Sequence, residues 1–186
     1  MMSKIKGWPR EIEFSSDNDW SKVPEEVQKR LRPRQNNPRG KACRIVRIKE
    51  IDDKSHPAYQ QRGLFAATNI KPNTHIIDYV GKIRLESEES KNSDYIIAFT
   101  ENLSIDAEKF GNEARFINDF RGTGGTQNVK FDTYASDGGT RLGVFSLSKQ
   151  IKKGEELLVT YGRGFWKERG LFDVIAKARE RKSSIT

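Results

Sequence analysis

The chain has 186 residues and reads as one domain with extensions, long enough to bury a sizeable core without disulfide staples. Its single cysteine, Cys43, has no internal partner, His56 and His75 are too few to complete a zinc site, and no apolar run approaches the length of a membrane span. A formal net charge of +8 draws such a chain toward nucleic acid, acidic protein surfaces or anionic membrane, or simply keeps its surface solvated.

Residues 1–42 are polar and mixed in charge and read as an N-terminal extension. The start, Met1-Met2-Ser3-Lys4-Ile5-Lys6, lacks the apolar core of a signal peptide, so an intracellular protein free of structural metal and membrane attachment is expected. Pro24-Glu25-Glu26-Val27-Gln28-Lys29-Arg30-Leu31 predicts a short helix: Pro24 suits the first turn, the acids lie at its start and the bases at its end. Asn36-Asn37-Pro38-Arg39-Gly40 is turn chemistry and marks a boundary. From Cys43 the pattern changes to short strands, expected over residues 43–48, 64–67, 75–80, 95–99, 128–134, 141–147 and 156–159. Turns such as Lys71-Pro72-Asn73 and Ser136-Asp137-Gly138-Gly139 separate them. Near the end, Leu171, Val174, Ile175 and Ala178 recur at helical spacing and predict a helix over 171–182. Periodicity alone gives a small, mainly β (α+β) domain.

Two separated segments say more. One is Gly111-Asn112-Glu113-Ala114-Arg115-Phe116-Ile117-Asn118, the other Gly154-Glu155-Glu156-Leu157-Leu158-Val159-Thr160-Tyr161-Gly162. With Arg62-Gly63-Leu64-Phe65-Ala66 and Tyr79-Val80-Gly81 upstream, and in this order, the chain resembles the SET-domain lysine methyltransferases. The resemblance implies a β-clip-like fold of several short sheets with a pseudoknot and flanking helices. Residues 43–165 would be the SET domain and 166–186 a helical lid after it. The implied activity is transfer of a methyl group from S-adenosyl-L-methionine to a protein lysine.

That reaction sets physical demands. A lysine amine is protonated near neutral pH, and removing the proton costs about 4–5 kcal/mol from a reference pKa near 10.4. An apolar channel beside a positive sulfonium lowers this cost. Alignment of nitrogen, methyl carbon and sulfur supplies much of the acceleration. Neither a metal nor an acid–base dyad is required, which suits a chain so poor in His and Cys.

By resemblance, Tyr161 is the catalytic residue at the transfer centre. Arg115, Phe116, Asn118 and Asp119 belong to the stretch that holds the donor, and Arg62, Gly63 and Leu64 to the backbone that meets its methionine end. Tyr95 would lie near the donor's carboxylate, and Trp166 would pack on its adenine. Tyr79, Val159 and Phe165 would line the lysine channel, with Val159, smaller than the Phe or Tyr of many relatives, leaving room for di- or trimethylation. Several have a plain structural alternative: Tyr161 as a core tyrosine at a strand end, residues 115–118 as a buried strand ending in a turn, Tyr95 as a half-buried strand aromatic, Trp166 as core, and, beside Val159, Tyr95 or Phe99 filling the space. Asp106, Glu155 and Glu156 read as structural.

The chain departs from the family pattern in places. Gln61 stands where the first glycine of a Gly-x-Gly motif is usual, and Asp119 replaces a histidine. The cysteine of the following loop is lost, in keeping with the missing cysteines after the domain. Gly122-Thr123-Gly124-Gly125 lacks the Lys-Ser/Thr of a phosphate-binding loop and reads as a flexible loop. Asn118-Asp119-Phe120-Arg121-Gly122 looks like a divergent, compact subgroup known from fungi, for which a histone or other basic protein tail is the expected substrate. The net charge fits contact with nucleosomal DNA. A nuclear, chromatin location follows, with the cytoplasm also allowed. A non-histone substrate and a non-catalytic chromatin- or nucleic-acid-binding domain are the alternatives, and oligomeric state stays open.

Overall fold

Short runs of β-branched and aromatic residues cut by turn residues build short strands, and such strands find partners mainly in small sheets. The computed structural model describes residues 5–34, 43–88, 93–100 and 102–161. It contains twelve strands and one α-helix among these residues. The helix is α1 (Glu25–Leu31), with Glu25 and Glu26 in its first turn and Lys29 and Arg30 in its last. The first strand, β1 (Glu13–Phe14), precedes it, and β2 (Val46–Glu50) pairs antiparallel with β3 (Arg62–Ala66).

Two sheets have three strands. In the first, β4 (His75–Asp78), β10 (Val129–Ser136) and β11 (Gly139–Ser146) lie in the order β10-β11-β4. The β10–β11 hairpin closes through Asp137 and Gly138, at φ 48° and 76°, the double left-handed geometry of a tight hairpin turn. In the second, β5 (Lys82–Leu85), β6 (Ile96–Thr100) and β7 (Leu103–Asp106) lie in the order β5-β7-β6. Sequence periodicity missed β7 because Leu103, Ser104, Ile105 and Asp106 are all buried. A central strand covered on both faces loses the alternation that marks strands. The remaining pairs are parallel: β8 (Phe110–Gly111) with β1, and β9 (Asn118–Asp119) with β12 (Leu158–Val159).

Local structure departs from expectation over 115–118. That stretch, read as a buried strand ending in a turn, is the end of a 3-10 turn over Glu113–Phe116 followed, after Ile117, by the two residues of β9. Asn112 starts the turn, its side chain accepting from the Ala114 N–H at 3.3 Å. The strand expected over 43–48 begins later, at Val46, and that over 156–159 shortens to β12.

The core gathers Leu64, Ile83, Ile105, Val129, Val144 and Leu157, all fully buried. The described residues before Cys43 share it: Trp20 and Leu31 are buried among the core side chains. Arg141, buried, binds Asp17 at 3.0 Å and lies 3.7 Å from Asp78, which also accepts from the Tyr134 hydroxyl at 2.8 Å. A guanidinium removed from water needs such carboxylates, and here one comes from the N-terminal stretch. The expected boundary at 36–40 and the helix over 171–182 lie outside the described residues.

Candidate active site

The parallel pairing of β9 with β12 brings the two signature stretches side by side, Leu158 opposite Asn118 and Val159 opposite Asp119. Asn128 clamps them further: its Oδ1 accepts from Leu158 N at 2.8 Å and its Nδ2 donates to Glu156 O at 2.7 Å. Asp119 is buried, and its Oδ2 accepts from Arg121 Nη1 and from Tyr161 N, both at 2.7 Å. This carboxylate fixes the backbone from which Tyr161 projects. The Tyr161 hydroxyl donates to Ile117 O at 2.6 Å. Burial first, and the Asp119 charge second, push its pKa well above the usual tyrosine value, so the phenol keeps its proton at neutral pH. Tyr79 is buried too, and burial raises its pKa; its hydroxyl donates to Tyr95 O at 2.8 Å.

Two cavities share lining residues here. Tyr79, Ile97, Ile117, Phe131 and Tyr161 line one of about 290 Å³. Arg62, Gln61, Phe116 and Asn118 line another of about 250 Å³, whose walls are mostly polar. Tyr95 and Arg115 belong to both linings. The Arg115 guanidinium lies 3.9 Å from the Tyr95 ring centroid and 4.9 Å from that of Phe116. Its Nε donates to Ala107 O at 2.8 Å and its Nη2 to Glu108 O at 3.2 Å, so the side chain is held in place before any ligand arrives. The first cavity is richer in apolar and phenolic walls, with Asp94 among its lining residues, and the second is mostly polar, with the Arg115 cation over the Tyr95 ring in both linings.

The expected residues distribute unevenly around these cavities. Tyr161, Tyr79, Tyr95 and Arg115 surround the first, and Arg62, Tyr95, Arg115, Phe116 and Asn118 the second. Gly63 and Leu64 lie behind the second, Gly63 against Glu156 and Leu64 in the core. Asp119 braces Tyr161 from below, and Val159, 2% exposed, lines neither cavity. Phe165 and Trp166 fall outside the described residues. Where a glycine was expected at 61, the left-handed backbone sits one residue earlier, at Gln60 with φ 63°. Gln61 therefore carries no left-handed strain.

Sequence reasoning missed the support for Asn118. Glu156 Oε1 accepts from Asn118 Nδ2 at 2.8 Å, and Glu156 Oε2 lies 3.1 Å from His56 Nε2. His56 Nδ1 accepts from Ala58 N at 3.0 Å, which leaves the ring proton on Nε2 as the donor to Glu156. Nothing in the sequence links His56 to a glutamate a hundred positions away. Arg121, singled out in the sequence only as part of a motif, pairs with Asp119 through Nη1 and donates from Nη2 to Thr160 Oγ1 at 3.1 Å. A larger hollow of about 760 Å³ lies beside the Thr123–Asn128 loop and Lys149. It shares Glu156 with this network, but neither tyrosine reaches it.

Known proteins resemble this chain in both sequence and fold. A histone-lysine N-methyltransferase of Emericella nidulans, H3 lysine-4 specific, is 31% identical over 133 residues, 63% of this chain and 10% of that protein. The mouse inactive histone-lysine N-methyltransferase 2E is 24% identical over 179 residues, 86% of this chain and 9% of that protein. The chain thus spans about a tenth of the length of these relatives. Among solved structures, ATXR5 in complex with histone H3.1 superposes with a TM-score of 0.61 at 22% identity, covering 81% of each chain. An autoinhibited ctPRC2 bound to S-adenosylmethionine superposes with a TM-score of 0.53 at 26% identity, covering 71% of this chain and 17% of that one. The SET domain profile matches residues 61–162, more than half of the 186 residues and the span that holds both tyrosines, both parallel partners and the shared Tyr95–Arg115 wall, and the chain belongs to the SET domain family.

Proposed function

We propose that this chain is a protein-lysine N-methyltransferase that takes its methyl group from S-adenosyl-L-methionine and acts on a lysine of a histone or other basic protein tail. The observation that carries the proposal is the pair of cavities that share Tyr95 and Arg115 as lining, one rich in phenols and apolar side chains, the other mostly polar with Glu11 and Arg62. A mostly polar cavity bearing Glu11, Arg62 and Arg115, with Phe116 as an apolar face, suits a donor that has a zwitterionic end and a flat ring. When bound, that donor supplies an electrophilic methyl group on sulfur.

The residues have distinct tasks. Arg62 and Arg115 would hold the donor's carboxylate, and Asn118, fixed by Glu156, its polar edges. In the neighbouring cavity Ile97, Ile117 and Phe131 disfavour an ammonium and so favour the neutral amine, and the Arg115 charge acts in the same direction, against the opposing pull of the exposed Asp94 carboxylate. Because the Tyr161 proton is committed to Ile117 O, the phenol oxygen is left to accept a hydrogen bond from the amine and to aim its lone pair.

The charge of +8 supports a nucleosomal substrate, because DNA phosphates surround any lysine near the histone core, and with it a nuclear location. The test is transfer of labelled methyl from S-adenosylmethionine to nucleosomes, free core histones and a cell extract, with Tyr161→Phe as control. Histone labelling that collapses in the variant is expected. Labelling of other proteins alone replaces the substrate, and no labelling by a folded protein favours a binding role.

A further inference from the structure

The family match begins at residue 61, yet the wall of the donor-side cavity does not. Pro9, Glu11 and Ile12 complete it, facing Gln61, Arg62 and Asn118. We propose that the N-terminal segment 8–14 is part of the donor site, with Glu11 the anionic partner for the α-ammonium of the donor's methionine end. The inference rests on the methyltransferase reading and deepens it, since it assigns a donor contact to a stretch outside the matched domain.

The segment is anchored on both sides of Glu11. Before it, the Trp8 ring packs edge-on against Phe116, itself a cavity residue, with centroids 5.7 Å apart, and against Phe14 at 5.2 Å. Trp8 Nε1 donates to Ile12 O at 2.7 Å, which ties the loop's two ends across Glu11. After it, β1 runs parallel to β8: Glu13 N donates to Lys109 O at 3.0 Å and Ser15 N to Gly111 O at 2.8 Å. Pro9 and Ile12 are buried, whereas Glu11 is exposed and among the cavity's lining residues. A loop pinned in this way holds its carboxylate near one position, so less ordering entropy is lost when a ligand binds.

The charge arrangement gives the ligand's orientation. Arg115 and Arg62 supply positive charge to this cavity and Glu11 the negative. An α-amino acid end carries both signs, and each sign is best met by its opposite. Arg115 is fixed over Tyr95, so the carboxylate belongs on that side and the ammonium toward Glu11.

The test is calorimetric binding of S-adenosylhomocysteine, and of its analogue lacking the α-amine, to the full chain and to Glu11→Gln. Glu11 is exposed, so the variant should unfold at the wild-type temperature, which is checked alongside. Loss of one charge-assisted hydrogen bond predicts about tenfold weaker S-adenosylhomocysteine binding by the variant, with the amine-free analogue unaffected. If the wild type binds S-adenosylhomocysteine and Glu11→Gln binds it equally well, the inference falls and the methyltransferase reading stands. If the wild type binds neither compound, both fall.

Discussion

Replacing Gly63 by alanine tests the support beneath the donor site. A Cβ at this position would lie 2.6 Å from Glu156 Oε1, 2.9 Å from Phe65 Cε2 and 3.2 Å from Ile51 Cδ1. Carbon and oxygen ordinarily stay about 3.3 Å apart, so the carboxylate must withdraw by about 0.7 Å. The same Oε1 holds Asn118 Nδ2 at 2.8 Å, and the other oxygen meets His56. A displacement of that order separates a sound hydrogen bond from none. The Glu156 side chain is 12% exposed, so little water is at hand to replace the lost partners. Losing a hydrogen bond to a charged group costs about 1.5–3 kcal/mol. Gly63→Ala should therefore destabilise by roughly that amount and weaken S-adenosylhomocysteine binding by releasing the Asn118 amide. The assay is a double-mutant cycle with Glu156→Ala, read by urea unfolding and calorimetric titration. If the carboxylate transmits the cost, adding Gly63→Ala to Glu156→Ala should cost clearly less than in the wild type, what remains being the Phe65 contact. Additivity within about 0.5 kcal/mol would refute the argument, as would full ligand affinity in Gly63→Ala.

Three further outcomes are expected. Tyr161→Phe removes the hydroxyl that donates to Ile117 O; methyl transfer should fall by about a hundredfold, as expected for a misplaced reactant, while calorimetry shows donor-analogue binding unchanged. Glu113 is 3% exposed and accepts from Cys43 N at 2.9 Å, and burial raises its pKa above 4.5. The native state then holds this proton more tightly than the unfolded chain, so the contribution to stability is full below about pH 4.5 and is lost as pH rises through the higher folded value. Urea unfolding of Glu113→Gln should show that particular loss abolished, its stability relative to wild type rising from acid toward neutral pH; a constant difference across that range would contradict the sign. Finally, Val159 is buried and lines neither cavity, so Val159→Phe should overpack the core by about 1–3 kcal/mol in urea unfolding while mass spectrometry finds the product's methylation state unchanged; a change of product state at full stability would refute this.

Much of the strand framework was legible because turn residues and short apolar runs act locally. The hairpin at Asp137-Gly138 needs two left-handed residues, and that requirement is written in the residues themselves. The charge pattern of α1 was equally plain, with acids first and bases last. The β7 strand and the 3-10 turn over Glu113–Phe116 were not legible, since burial on every side erases periodicity.

The candidate site divides in the same way. Resemblance of the motifs to the SET family pointed to Tyr161, Asn118, Arg115 and Tyr95 as candidates, and the structure places these four in the linings of the two cavities. What the tertiary structure alone decided is who holds them. Asp119 braces Tyr161, Glu156 with His56 orients Asn118, and residues 9–12 complete the donor-side wall. These are contacts between groups tens of positions apart. A hydrogen bond depends on distance and direction in space, and no local preference of the chain encodes either until the sheets have packed.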